Sequence, residues 1–74
     1  MAKGYVHTVY QQGNWLNEIE DQREITGHYS TKDAAVKAGR LKAKNRKTEH
    51  VIHNQNGTIS ERNSYGNDPA NRPG

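Results

Sequence analysis

The chain has 74 residues, no cysteine and an apolar fraction of 30%, so its core must be small and cannot be held by a disulfide. A mean hydropathy of −1.24, without any long apolar run, argues against a membrane-spanning helix or a secretory leader, and we expect one soluble, cytoplasmic domain. The net charge of +3 is unevenly spread, because residues 32–47 carry +6, residues 1–31 carry −2 and residues 48–74 carry −1.

The first 20 residues predict a β-hairpin. Residues 5–10 and 15–20 are rich in aromatic and β-branched side chains, and Gly13 lies in the segment between them. A two-residue loop pairs residues of opposite parity, so one face is predicted to carry Val6, Thr8, Tyr10, Trp15, Asn17 and Ile19. The other face then carries Tyr5, His7, Val9, Leu16, Glu18 and Glu20. We assign the Trp15 face to the core because it groups the larger apolar side chains, although a three-residue loop would reverse the grouping on one strand.

The next segment, residues 21–29, reads as a connection with room for a short edge strand at residues 24–27. Tyr29 directly precedes a helix start and is a candidate to pack back onto the first turns of that helix. The helix is predicted over residues 30–47. Ser30 and Asp33 have the spacing of a capping box, and Thr31 is the alternative cap.

The predicted helix has two different sides at about 100° per residue. A small apolar side, suited to close packing on a flat sheet around Gly39, consists of Ala34, Ala35, Val36, Ala38, Gly39, Leu41 and Ala43. The opposite side, here called the basic face, consists of Lys37, Arg40, Lys44 and Lys47. Lys42 and Arg46 lie at its margins.

A second hairpin is predicted at residues 49–62, because Asn56 and Gly57 form a strong turn signal between two β-type runs. Ile52 and Ile59 are predicted to share a face and to meet the helix. The whole chain then reads as an α+β, two-layer ββαββ domain over residues 1–62, with one helix on an antiparallel sheet of two hairpins. Residues 63–74, which include Tyr65, are predicted to form an irregular tail.

The C-terminal third also carries a family resemblance. Residues 53–62, His-Asn-Gln-Asn-Gly-Thr-Ile-Ser-Glu-Arg, followed by Asn-Ser-Tyr-Gly-Asn-Asp-Pro, resemble the signature of a small bacterial family, domain of unknown function 2188. The hairpin with Trp15 after Gly13 and the Ala-rich helix are similar to that family too, so the resemblance covers most of the chain. It implies no activity, no cofactor and no site residues. Helices of that family mix acidic with basic residues, whereas this helix is almost wholly basic, so a function of the basic face need not be a family property.

Two function hypotheses follow, both for a small binding module rather than an enzyme. In the first, Lys37, Arg40, Lys44 and Lys47 neutralise phosphates of a nucleic-acid backbone, and the alternative for these residues is a solvated outer face. In the second, the sheet face left uncovered by the helix binds a protein partner or a second copy of the chain through Tyr5, His7, Val9 and Leu16. The alternative for that face is that the tail folds back and Tyr65 covers part of it.

Metal-dependent and catalytic functions are not expected from the sequence. His50 and His53 are three residues apart on a predicted strand and therefore point to opposite faces, and neither His7 nor His28 adds a recognised ligand spacing. The carboxylates of residues 18–24 lie in a polar strand end and loop, where nothing raises a pKa toward acid or base work. We therefore expect no catalytic residues, no metal, no cofactor and no membrane partner.

Overall fold

A five-stranded sheet with one helix packed on one side forms the computed structural model, which describes residues 4–20 and 24–66. The elements are β1 (Val6–Gln11), β2 (Asn14–Ile19), β3 (Glu24–Tyr29), α1 (Lys32–Arg46), β4 (Glu49–His53) and β5 (Ile59–Ser64). The strand order is β3-β2-β1-β4-β5. Neighbouring strands are antiparallel, except for β1 and β4, which are parallel.

The α+β class with one helix is confirmed, but the ββαββ arrangement is wrong because a third strand precedes the helix. The segment predicted as a connection, with room for a short edge strand at residues 24–27, contains β3, a full six-residue edge strand. Three strands, rather than two, therefore precede the helix, so α1 returns the chain to the starting end of β1. The next strand then runs in the same direction as β1, which makes the sheet mixed.

The predicted register of the first hairpin is confirmed. Val6 pairs with Ile19 and Tyr10 pairs with Trp15, around a two-residue loop. Gln12 and Gly13 in that loop have φ values of 50° and 86°, as a type I′ hairpin turn requires. The face that contains Trp15 lies under α1, since the Asn17 side-chain amide donates to the Ala35 carbonyl.

Helix α1 begins after Thr31, the second of the two predicted caps. The Thr31 hydroxyl accepts a hydrogen bond from the Ala34 amide at 3.2 Å, so Ser30 is not the cap residue. At the other end Lys47 adopts a left-handed conformation with φ 54°, and its amide donates to the last turn. Both ends of the helix are therefore capped.

The apolar side of α1 is narrower than the sequence predicted. Only Ala35, Gly39 and Ala43, spaced by four residues, are buried against the sheet. Ala34 is exposed, and Leu41 is 62% exposed. A helix resting on a flat sheet through one row of small residues keeps its flanks in solvent, so the predicted burial of Leu41 is wrong.

The second hairpin forms, but Ile59 does not reach the helix. A register shift next to His53 leaves Ile52 opposite Glu61 and His53 opposite Ile59. Because antiparallel partners share a face, Ile52 is buried under α1 while Ile59 lies on the other side and is 53% exposed. The prediction that both isoleucines meet the helix is therefore wrong for Ile59.

The end of the described chain packs onto the core rather than onto the uncovered sheet face. β5 continues to Ser64, and the Tyr65 amide donates to the Thr48 carbonyl at 3.2 Å. The Tyr65 side chain packs against a cluster of Val6, Ile19 and Ala43. Residues 67–74 of the predicted tail lie outside the described residues.

Candidate functional site

The outer side of α1 presents the basic face to solvent. Lys37, Arg40, Lys44 and Lys47 are all exposed. Lys37 forms an i,i+4 pair with Asp33 at 3.8 Å, and pairs of this kind at an open surface contribute about 0.5 kcal/mol or less. The Lys44 ammonium lies 5.7 Å from the centroid of the Tyr65 ring. Within residues 4–20 and 24–66, no ion pair is formed by Arg40, Lys44 or Lys47.

Leu41 adds an apolar element to this side of the helix, which the sequence analysis missed. It lies four residues after Lys37 and three before Lys44, so the three side chains are neighbours on the helix surface. The sequence places Leu41 within an Ala-rich segment, where helical periodicity alone did not separate the row that contacts the sheet from its flanks. A phosphate-binding surface here would therefore include one aliphatic contact.

The side of the sheet opposite α1, here called the open face, carries the residues of the second hypothesis but does not expose all of them. Tyr5, His7 and Val9 are half-buried, and Leu16 is buried. Leu16 therefore cannot contact a partner without displacement of its neighbours.

Two exposed aliphatic residues lie on the open face instead. On β3, Ile25 lies opposite Glu18 of β2 and is 49% exposed. On β5, Ile59 lies opposite His53 of β4. Both belong to the outermost strands of the sheet. Neither residue could be assigned to this face from the sequence, since the short edge strand at residues 24–27 was predicted without a register and the register shift in β5 has no local signal.

A cleft of about 480 Å³ on the open face is lined by His7, Val9, Glu18, Glu20 and His53. His7 Nδ1 lies 3.0 Å from His53 Nε2, with the ring centroids 5.2 Å apart and the ring planes inclined by 29°. The outer nitrogen of His7, Nε2, is 3.7 Å from a Glu20 carboxylate oxygen. We call His7 and His53 the histidine pair.

Burial is the main cause that lowers the pKa of His53 from its ordinary value. A hydrogen bond with the Gly57 backbone opposes this effect, and the nearby His7 adds to it. His53 is therefore a neutral imidazole at pH 7, with a lone pair available on one ring nitrogen.

His50 lies on the other side of the sheet, as the three-residue spacing from His53 predicted, in a buried polar cluster with Thr8 and Asn17. The Thr8 hydroxyl donates to Asn17 Oδ1 at 2.5 Å and accepts from His50 Nε2 at 2.7 Å. Burial first, and then Arg40 and His7, lower the pKa of His50 to about 4, against an opposing effect of Glu61. His50 Nδ1 is buried and has no hydrogen-bond partner among the described side chains and backbone. This cluster packs directly under Gly39 and is part of the core.

Two further observations concern function. In the described part of the chain, no three His, Asp or Glu side chains are already gathered around one point that could hold a metal ion. No helix in the same part is long and apolar enough to span a bilayer.

Comparison with known proteins places the chain in a family. Residues 6–65 match the sequence profile of a family described as "Uncharacterized protein conserved in bacteria (DUF2188)". Neither the comparison with curated proteins nor that with solved structures gave a match. The matched segment runs from the start of β1 to Tyr65 and so includes every strand and the helix. The chain therefore belongs to the bacterial DUF2188 family.

Proposed function

We propose that this protein is a nucleic-acid-binding module that contacts the phosphate backbone with the basic face of α1. The observation that carries the proposal is the exposure of Lys37, Arg40, Lys44 and Lys47 together on one side of a helix that is capped at both ends. Fixed cations on a rigid element bind a phosphate backbone with a smaller loss of conformational entropy than the same cations on a mobile tail.

The dimensions of the basic face suit a duplex backbone. Lys37 and Lys47 are ten residues apart, which is about 15 Å along a helix axis. Double-stranded DNA carries about nine phosphate charges over that length. Four cations that each neutralise one phosphate would give a slope of about −3.6 in a plot of log affinity against log salt.

The distribution of charge supports binding in one orientation without reading of base sequence. Glu18 and Glu20 lie on the open face, on the far side of the sheet from the basic face, so a polyanion is repelled from one side and attracted to the other. Lysine contacts to phosphate carry no sequence information. We therefore expect similar affinity for unrelated duplex sequences.

Fluorescence anisotropy with a labelled duplex, measured at several salt concentrations, tests the proposal. A variant with Lys37→Ala, Arg40→Ala, Lys44→Ala and Lys47→Ala should lose most of its affinity, and the salt slope should shrink from about −3.6 toward zero.

A charge-matched pair of double variants supplies the control. Lys37→Ala with Lys44→Ala removes two charges from the basic face, whereas Lys42→Ala with Arg46→Ala removes two charges from the same helix outside it. The first double variant should reduce the slope by about 1.8, and the second should change it much less. Equal losses in the two double variants would mean that net charge alone drives binding, and undiminished binding by the fourfold variant would refute the proposal.

A second candidate function is favoured by Ile25 and Ile59, the exposed aliphatic residues on the open face. We propose as the alternative a protein-interaction module, including a homodimer, that uses this face through Tyr5, His7 and Val9 between the two isoleucines. Ile25→Lys combined with Ile59→Lys should then abolish self-association in sedimentation velocity, while Leu41→Lys on the helix should leave it unchanged. A wild-type protein that stays monomeric at all concentrations removes the homodimer from consideration.

A further inference from the structure

The histidine pair brings two ring nitrogens together in the cleft, because His7 Nδ1 lies 3.0 Å from His53 Nε2. The other nitrogen of His7, Nε2, lies 3.7 Å from a Glu20 carboxylate oxygen, which is beyond hydrogen-bond distance. Nε2 of His53 faces His7, which leaves Nδ1 as the nitrogen for the Gly57 backbone. A single proton between the two rings makes their contact an ordinary hydrogen bond, and a metal ion bound to both nitrogens can take the place of that proton.

The distance of 3.0 Å between the two inner nitrogens, His7 Nδ1 and His53 Nε2, suits such an exchange. Two imidazole nitrogens bonded to one tetrahedral ion at about 2.0–2.1 Å lie about 3.3 Å apart. The observed separation is close to this value, so little movement of either ring would admit an ion.

We propose that His7 Nδ1 and His53 Nε2 together bind a divalent transition-metal ion of the zinc type, with the Glu18 carboxylate as third ligand and water completing the site. Glu18 lies directly opposite His7 in the β1–β2 ladder, at a cross-strand Cβ separation of about 5 Å. Its side chain lines the same cleft. The carboxylate turns toward the rings when the ion binds, because the described residues do not hold three ligands together beforehand.

The surroundings of the histidine pair match those of a metal site. Metal-bound histidines commonly direct their other ring nitrogen to a carboxylate or a backbone carbonyl, which are the groups that Glu20 and Gly57 supply here. Imidazole is a good ligand for zinc, copper and nickel, whereas carboxylates suit magnesium and calcium. Two imidazoles beside one carboxylate therefore favour a transition-metal ion. The site lies on the opposite side of the sheet from the basic face, so it is independent of nucleic-acid binding.

Zinc chloride titration of the tag-free, full-length protein at pH 7 tests the site. Competition with a chromophoric chelator should give one ion per chain with micromolar affinity. His7→Ala and His53→Ala should each weaken binding about tenfold or more, and Glu18→Gln should weaken it less. His28→Ala is the matched control, because His28 is exposed on β3 outside the cleft, and it should leave affinity unchanged.

Imidazole resonances of the wild-type protein give a second readout that does not depend on whether a variant folds. Zinc should shift the ring signals of His7 and His53 and leave those of His28 and His50 in place. Zinc binding that is equally strong in the His7→Ala and His53→Ala variants would overturn the proposal. It would also be overturned if the rings of the histidine pair respond to pH but not to zinc, since the contact between the two nitrogens would then be only a hydrogen bond.

Discussion

Replacing Gly39 with alanine would place a methyl group inside the buried polar cluster. A Cβ atom at this position would lie 2.5 Å from Asn17 Oδ1, 2.6 Å from His50 Nε2 and 2.8 Å from Thr8 Oγ1. Thr8 Oγ1 is hydrogen-bonded to both of the other atoms, so the three cannot move aside independently. Gly39→Ala must therefore lift α1 away from the sheet or break the cluster.

The expected loss of stability is the difference between two opposing effects. Alanine gains up to about 1 kcal/mol over glycine in helix propensity. Overpacking of a core costs roughly 1–3 kcal/mol, and each hydrogen bond disturbed in the cluster adds about 1 kcal/mol. The net result is a destabilisation of about 2 kcal/mol, out of a total of roughly 4–11 kcal/mol for a chain of this length. At 4–8 °C for each kcal/mol, the melting temperature should fall by roughly 8–16 °C.

Thermal and urea unfolding followed by circular dichroism measures this effect. Arg40, the exposed neighbour of Gly39, supplies the control. The difference between Arg40→Ala and Arg40→Gly reports the propensity effect alone, and alanine should be the more stable by about 1 kcal/mol. If Gly39→Ala stabilises the protein by the same amount, the helix does not approach the sheet as closely as described and the reasoning fails.

Three further predictions concern His50, Tyr65 and Leu41. Because the pKa of His50 is about 4 in the fold and 6.5 ordinarily, the unfolded chain takes up the proton first, so stability is highest above pH 6.5 and falls by about 3 kcal/mol between pH 6.5 and 4. Urea unfolding at successive pH values should show this slope, and His50→Gln should remove most of it. Tyr65→Ala should lower the free energy of unfolding by about 1–2 kcal/mol through lost packing on Val6 and Ile19, whereas Tyr65→Phe should not, and equal stability of the two variants would contradict that packing. Leu41→Ala should change the free energy of unfolding by about 0.5 kcal/mol or less, and a larger loss would contradict its exposure.

Local signals in the sequence were sufficient for the first hairpin and for the close approach of the helix to the sheet at Gly39. The alternation around Gly13 determines which residues of β1 and β2 face α1, and that pairing is confirmed. Gly39, with alanines four residues before and after it, predicted a close approach of helix and sheet. That approach is confirmed, because no space is left for a Cβ atom at this position. These features depend on neighbours within a few residues, which a sequence pattern records directly.

The parts that were wrong depend on contacts between distant segments. Residues 24–29 contain Gly27 and only one large aliphatic residue, Ile25, so the strand pattern of this segment is weak. They form a strand because they pair with the edge of β2 that β1 leaves free. The parallel pairing of β1 with β4 follows from that extra strand. The register shift next to His53, which turns Ile59 outward, is likewise set by how β5 pairs with β4.

The candidate sites show the same division. The basic face could be predicted because its residues follow helical periodicity, and all four are exposed as expected. The histidine pair could not, since His7 and His53 are 46 residues apart and meet only through the parallel pairing of their strands. Thr8 and Asn17 were placed on the covered face of the hairpin, which was a signal for the buried polar cluster, but the third member, His50, arrives with the same long-range pairing.

An NMR titration shows residue by residue whether the basic face of α1 binds a phosphate backbone. Isotope-labelled protein would be titrated with a short unlabelled duplex at low salt, and amide shifts would be followed as salt is then raised. We predict that the shifts concentrate on the outer side of α1, at Lys37, Arg40, Lys44 and Lys47, and that they disappear in high salt. Shifts that concentrate on the open face of the sheet, or no shifts at low salt, would contradict phosphate binding by the basic face.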